Sequence, residues 1–223
     1  MDRKLLGQGL VKFFAGLLIV AALLFVPAGT LRWGNAWAFL GLLFVPMFCA
    51  GLVMLRFSPE LLRRRLSAKE REGEQRSVVA WSGVMFLVGF LLAGLNRRFG
   101  WTSLPRAVVI AAACVFLISY LIYAEVLREN EFLSRTVEVQ EGQRVIDTGL
   151  YGVVRHPMYA ATLGLFLSMP LLLGSWPSLL VFLLYPVLIV RRIRNEEQVL
   201  AQGLAGYTDY QQRVRYRLIP FIW

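Results

Sequence analysis

Histidine is almost missing from this chain of 223 residues: His156 is the only one. Cysteine is scarce as well, with Cys49 and Cys114 far apart in the sequence. One histidine, two separated cysteines and no convergent Asp/Glu set argue against a catalytic zinc or di-iron centre, and the cysteine count rules out a disulfide scaffold. No Gly-x-Ser-x-Gly stretch occurs, so a serine-hydrolase triad lacks its nucleophile turn. Acidic residues are also in the minority, 14 Asp and Glu against 24 Lys and Arg. Charge of either sign is missing altogether from several long stretches, and those stretches define the fold class.

The chain is 57% hydrophobic, above the roughly 45–50% apolar share of soluble domains. Uncharged apolar runs cover 13–31, 33–55, 77–96 and 107–124, each near the ~20 residues that cross a bilayer as a helix. A fifth run, 157–190, is too long for one crossing. Pro170 and the cluster Gly174-Ser175-Trp176-Pro177 break it, which predicts two helices, about 158–173 and 177–190. At 1.5 Å per residue these reach only about 24 and 21 Å, short of a roughly 30 Å hydrocarbon core. Short interrupted helices suit a protein-buried or cavity-lining position. The expected fold is thus an all-α integral membrane protein with about six hydrophobic helices. Residues 1–124 form the N-terminal transmembrane part, and 125–223 a C-terminal region with the short hairpin and cytoplasmic helices. The first run, preceded by Arg3, Lys4 and Lys12, is read as an uncleaved helix because it exceeds a usual signal-peptide core.

The net charge of +10 does not indicate a nucleic-acid partner. With six crossings and the N-terminus inside, only Arg32, Arg97, Arg98 and Arg106 fall outside. The remaining Lys and Arg mark the cytoplasmic side and meet anionic lipid headgroups. The stretch 56–76 alone carries Arg63, Arg64, Arg65, Lys69 and Arg71 between its terminal arginines.

Polar residues gather in the last third. Glu125, Arg128, Glu129, Glu131 and Arg135 read as a helical extension beyond the fourth span, and Glu141-Gly142 reads as a turn between extended arms. Arg155-His156-Pro157 then returns the chain to the membrane. Pro157 suits a helix start, and Tyr159 follows within one turn, so a cation, an imidazole and a phenol meet at one point. Arg192 and Glu196 stand one turn apart on a helix face, with Glu197 beside them. The two clusters flank one antiparallel hairpin and are expected to form a composite pocket. Gly203 and Gly206 interrupt the helix that leaves the membrane, a second helix starts near Thr208, and Tyr207 and Tyr210 offer rings for stacking. Pro220 ends the regular structure, leaving Phe221, Ile222 and Trp223 as interfacial anchors.

These residues resemble the isoprenylcysteine carboxyl methyltransferase (ICMT) family and its phospholipid methyltransferase cousins. The resemblance covers about 129–223. It rests on Thr148-Gly149-Leu150-Tyr151, Val154-Arg155-His156-Pro157-Met158-Tyr159, Leu173-Gly174-Ser175-Trp176, Arg192 through Glu196-Glu197-Gln198-Val199-Leu200, and Gly206-Tyr207 to Tyr210. It implies S-adenosylmethionine as methyl donor in a cytoplasm-facing pocket. By position, Tyr151, His156, Pro157, Tyr159, Glu196, Glu197 and Tyr207 are expected to line or support that site, with Arg192, Glu196 and Arg155 at the chemistry. The family has no glycine-rich dinucleotide-binding half, and neither has this chain. It departs from the family at Leu150, where proline is usual, and at Ala161, where glycine is usual.

The resemblance implies a bacterial-type member in the inner membrane, with both termini cytoplasmic and a lipophilic acceptor entering from the bilayer. Carboxylate O-methylation is the expected reaction. N-methylation of an amine, a nicotinamide-dependent reductase of the sterol-reductase type, and a scaffold or transporter remain as alternatives. The last requires the two polar clusters to point apart.

Overall fold

The computed structural model describes residues 3–66, 73–134 and 136–223, without the side chains of 73 and 74; Lys69, Arg71 and Arg135 thus lie outside the described residues. The described chain is helical, with α1 Arg3–Ala28, α2 Gly34–Phe57, α3 Pro59–Leu66, α4 Gly73–Phe99 and α5 Arg106–Glu129 in the first part. A 3-10 turn at Gly149–Gly152 leads to α6 Pro157–Leu172, α7 Trp176–Phe182, α8 Tyr185–Gly203 and α9 Tyr207–Arg213.

Among the described residues, five segments are long and apolar enough to cross a membrane: α1, α2, Gln75–Phe99 in α4, α5, and Trp176–Gly203, which combines α7 and α8. Their large apolar side chains face outward, among them Leu18, Val26, Ile110 and Leu121. Such a surface is stable only in lipid, which makes the bilayer a partner of this fold. The helices outrun the apolar runs at most ends because polar residues continue them, as Arg3 and Lys4 do in α1.

The last hairpin is asymmetric. Its first arm, α6, has 16 residues and is indeed short. The second arm runs on past 190 as the helix expected to leave the membrane, and ends at Gly203. It breaks at Leu183–Leu184, just before Pro186, whose ring clashes with the carbonyl four residues back. Between the arms, Gly174 takes φ 75° while Ser175 N–H donates to Pro170 O at 2.9 Å, a six-residue closure that ends α6. Ser175 Oγ then accepts from Ser178 N–H and caps α7.

Two other expectations change. The extension of the fourth span stops at Glu129 instead of running to 135. Asn130 turns extended, its Oδ1 accepts from Phe132 N–H at 3.0 Å, and so it offers the backbone an alternative to helix. The arms around Glu141-Gly142 form no strand among the described residues. They pack instead on the C-terminal helices, with Val139 and Val145 against Leu200, Leu204, Tyr207, Tyr210 and Val214. The short helix α3 sits where sequence showed only charge. Its Leu61 is buried with Val126, Leu133 and Tyr151.

One buried cluster unites the helices, running from Leu24 and Phe39 through Phe90 and Phe116 to Met169, Phe182 and Ile189. Close approaches depend on glycine. A side chain at Gly94 of α4 would meet Leu24 O of α1 at 2.6 Å and Pro27 Cγ at 2.5 Å. Gly83, by contrast, faces open space. Gly94→Ala is therefore expected to cost about 1–3 kcal/mol by overpacking, whereas Gly83→Ala stays within about 0.5 kcal/mol. Equilibrium unfolding in mixed micelles measures both.

Candidate active site

His156 is the residue before α6, and Pro157 opens that helix. Arg155, His156 and Tyr159 therefore project from one helix end. The antiparallel α8 presents Arg192, Glu196 and Glu197 beside them. The two clusters meet through both carboxylates.

Glu197 is the inner junction. Its Oε1 accepts from Arg155 Nε at 2.7 Å and lies 3.2 Å from His156 Nε2. A carboxylate oxygen is an acceptor, so His156 carries a proton on Nε2 in this arrangement. Glu197 Oε2 accepts from Arg217 Nε at 2.8 Å. Arg155 Nη1 also donates to Val214 O at 2.6 Å and Arg215 O at 3.0 Å. The backbone N–H groups of Arg155 and His156 donate to Tyr216 O and Arg217 O. Trp223, expected as an interfacial anchor with Phe221 and Ile222, packs partly against the core and lies 5.3 Å from the Arg217 guanidinium.

The outer layer is a relay. Tyr159 OH donates to Glu196 Oε2, and Arg192 Nε donates to Tyr159 OH at 2.8 Å. Arg192 Nη1 donates to Oε1 of Gln75, from the start of α4, at 2.9 Å. Glu196 Oε1 lies 3.9 Å from His156 Nδ1.

Tyr151 comes from the 3-10 turn, which Glu129 holds from the end of α5. Thr148 Oγ1 donates to Glu129 Oε1 at 2.9 Å, and Leu150 N–H donates to Oε2 at 3.2 Å. Gly149 adopts φ 49° against the same carboxylate, which any side chain there would strike. A proline at 150 has no N–H to give Glu129, so the leucine here fits its own clamp. Tyr151 OH accepts from Asn130 Nδ2 at 2.9 Å, and Tyr210 OH donates to Tyr151 O at 2.8 Å.

These groups border a cavity of about 830 Å³, its open mouth included. Its walls include Tyr151, Arg155, His156, Tyr159, Arg192, Glu196 and Tyr207, with Phe132, Val137, Val145 and Leu204 as apolar counterparts. Pro157 and Glu197 do not line it: Pro157 starts the helix, and Glu197 stands behind the wall. Tyr207 is 4% exposed, and its hydroxyl has no hydrogen-bond partner among the described residues. Burial, then the charges of Glu197 and Glu196, hold that hydroxyl above the ordinary tyrosine range. Burial does the same for Tyr151, against the hydrogen bond from Asn130. Both remain neutral phenols at physiological pH. The cavity thus offers carboxylate, guanidinium and phenol donors and acceptors within an apolar frame.

Sequence reading missed Gln75 and Glu129, and it left Arg217 unplaced within a charged tail. Gln75 carries no local signal: its partner Arg192 is 117 residues away.

Residues 106–205 match the phospholipid methyltransferase (PEMT) family model. Across 96% of its length the chain shares the fold of the eukaryotic intramembrane Ras methyltransferase ICMT, isoprenylcysteine carboxyl methyltransferase, with a TM-score of 0.60 and 17% identity over 77% of that chain. The chain is thus similar to phospholipid methyltransferases over that segment and to ICMT in fold. The chain is also similar to Delta(14)-sterol reductase of Mus musculus, at 31% identity over 91 residues, which is 40% of this chain. It spans 22% of the reductase, so the likeness covers only a fraction of that curated relative.

The inner junction makes a stability prediction. Removing one partner of a buried ion pair leaves the other charge uncompensated, at about 3–5 kcal/mol. The Arg155 and Glu197 side chains are both 6% exposed. Glu197→Ala is therefore expected to lose stability in that range, measured by unfolding in mixed micelles. Arg217→Ala, whose side chain is 34% exposed, is expected to lose no more than about 1–2 kcal/mol.

Proposed function

We propose that this protein is an S-adenosylmethionine-dependent methyltransferase that methylates a carboxylate on a lipophilic acceptor. The observation that carries the reading is the convergence of the α6 and α8 clusters on one cavity, through Tyr159–Glu196 and Arg155–Glu197. A scaffold or transporter with the two clusters pointing apart does not have this arrangement. The family match over 106–205 spans α5 to α8, the elements that build most of the cavity.

The residues present fit such a cofactor. Glu196 supplies negative charge for a cationic amino or sulfonium group. Tyr207 has a buried hydroxyl in need of a partner. Tyr151 and Tyr159 provide ring faces and neutral phenols. S-adenosylmethionine supplies an electrophilic methyl group when bound. His156 lines this wall, Pro157 and Glu197 support it from behind, Arg155 ties it to the C-terminal loop, and Arg192 orients the acceptor. A carboxylate is already ionised at neutral pH and needs no base. Orientation and exclusion of water then supply the main catalytic effect.

The site lies at the end of the bundle that carries most of the cations. Lys12 Nζ reaches Leu66 O at 2.6 Å, and Arg64 Nη1 reaches Glu131 O at 2.9 Å. Arg32, Arg97, Arg98 and Arg106 belong to the opposite end. The positive-inside rule then orients the site and both termini toward the cytoplasm of a bacterial inner membrane. In this reading residues 1–124 anchor the chain, while 125–223 carry the chemistry.

Membranes containing the protein are expected to transfer label from radiolabelled S-adenosylmethionine to a lipid-extractable product that releases methanol in base. Base-stable label would instead indicate N-methylation. Glu196→Gln is expected to weaken S-adenosylmethionine binding about tenfold, from loss of a charge-assisted bond. Wild-type-like binding by that variant would sink the assignment.

The reductase similarity favours a second reading, in which the same cavity receives a reduced nicotinamide dinucleotide. Thermal protection separates the two. A ligand at a hundred times its Kd stabilises by about 2.7 kcal/mol, and S-adenosylmethionine is expected to protect where NADPH does not.

A further inference from the structure

Gln75 lies outside the matched segment 106–205, yet it reaches the centre of the site. It stands in the first turn of α4 and is fully buried. A buried amide without partners costs about 1–3 kcal/mol, so its presence requires bonds that an apolar residue of the same size does not need. Gln75 makes three. Its Oε1 accepts from Arg192 Nη1 at 2.9 Å. Its Nε2 donates to Asn195 Oδ1 at 2.6 Å and to Arg192 O at 3.4 Å.

The amide has one workable orientation. Flipped, it would turn its NH₂ toward a guanidinium, which has only donors. The oxygen therefore stays on Arg192. That guanidinium is also held on its Nε edge by Tyr159 OH at 2.8 Å. Two fixed edges define the plane of a rigid fork. Gln75 does this without adding a charge beside the cation.

We infer that Gln75 is a positioning residue for acceptor recognition: it aims the Arg192 guanidinium, so that the site prefers a carboxylate over a neutral head of the same shape. This rests on the methyl-transfer reading above. Gln75→Glu keeps the size but pairs Arg192 with a carboxylate, whereas Gln75→Met keeps the bulk and removes all three bonds. Either variant should cost recognition of the anionic head and leave the cofactor cavity intact.

The test uses the full chain in nanodiscs saturated with S-adenosylhomocysteine, probed with a farnesyl thioether carboxylic acid and its carboxamide. Wild type is expected to bind the acid about tenfold or more tighter than the amide. Gln75→Glu and Gln75→Met should each reduce that preference to about twofold or less, with S-adenosylhomocysteine affinity changed less than about twofold. In an Arg192→Ala background the preference is already lost, and Gln75→Glu adds nothing. If Gln75→Glu does not survive purification, Gln75→Met carries the comparison. A wild type without acid preference, a variant that retains it, or a parallel loss of S-adenosylhomocysteine affinity would overturn the positioning role and leave the methyltransferase reading standing. A wild type that binds no S-adenosylhomocysteine would remove that reading, and the inference with it.

Discussion

Every part of the site depends on one buried carboxylate. Glu197 receives Arg155, His156 and Arg217 at the same point, and those residues come from the start of α6 and from the segment after α9. Two isolated cations and an imidazole in this setting would repel one another and demand water. With Glu197 between them they form a knot that binds the C-terminal loop to the helix pair. Backbone bonds from 155 and 156 to 216 and 217 tighten it. The orientation of Tyr159 on one side and Tyr207 on the other follows from where this knot sits.

The charged residues thus fall into two layers with different work. In and behind the wall, Arg155, Glu197 and Arg217 satisfy each other and fix geometry. Facing the cavity, Glu196 and Arg192 are held through hydroxyl and amide groups, by Tyr159 and Gln75. Neutral holders set direction while adding no charge of their own. The layering explains how a small site can contain so many ions and still present a defined set to a ligand.

Much of this was legible in the sequence, for reasons that differ by residue. Spans appear because a bilayer-length run without charge has few other uses. The clusters appear because Pro157 marks a helix start and because Arg192 and Glu196 are spaced one helical turn apart. Other features depend on contacts that no local pattern records. Gln75 finds Arg192 across the whole bundle. Glu129 clamps the Gly149 turn from a different helix. Asn130 stops α5 by offering its own side chain to the backbone. The helix α3 was hidden because three arginines in a row outweigh Leu61 and Leu62 in any reading of composition, although burial of those two leucines is what seats it. The contact of Trp223 with Arg217 could not be known from spacing.

The shortness of α6 has an energetic consequence. Sixteen residues rise about 24 Å, roughly 6 Å less than the hydrocarbon around them. For the methyltransferase proposed above, a reaction centre at the end of such a helix would sit nearer the acyl chains than one at the end of a full-length span. Lifting an acyl tail into water costs about 0.8 kcal/mol for each methylene, on the order of 12 kcal/mol for a tail of fifteen. For the lipophilic acceptor proposed above, a site nearer the acyl chains would remove part of that extraction term from the barrier.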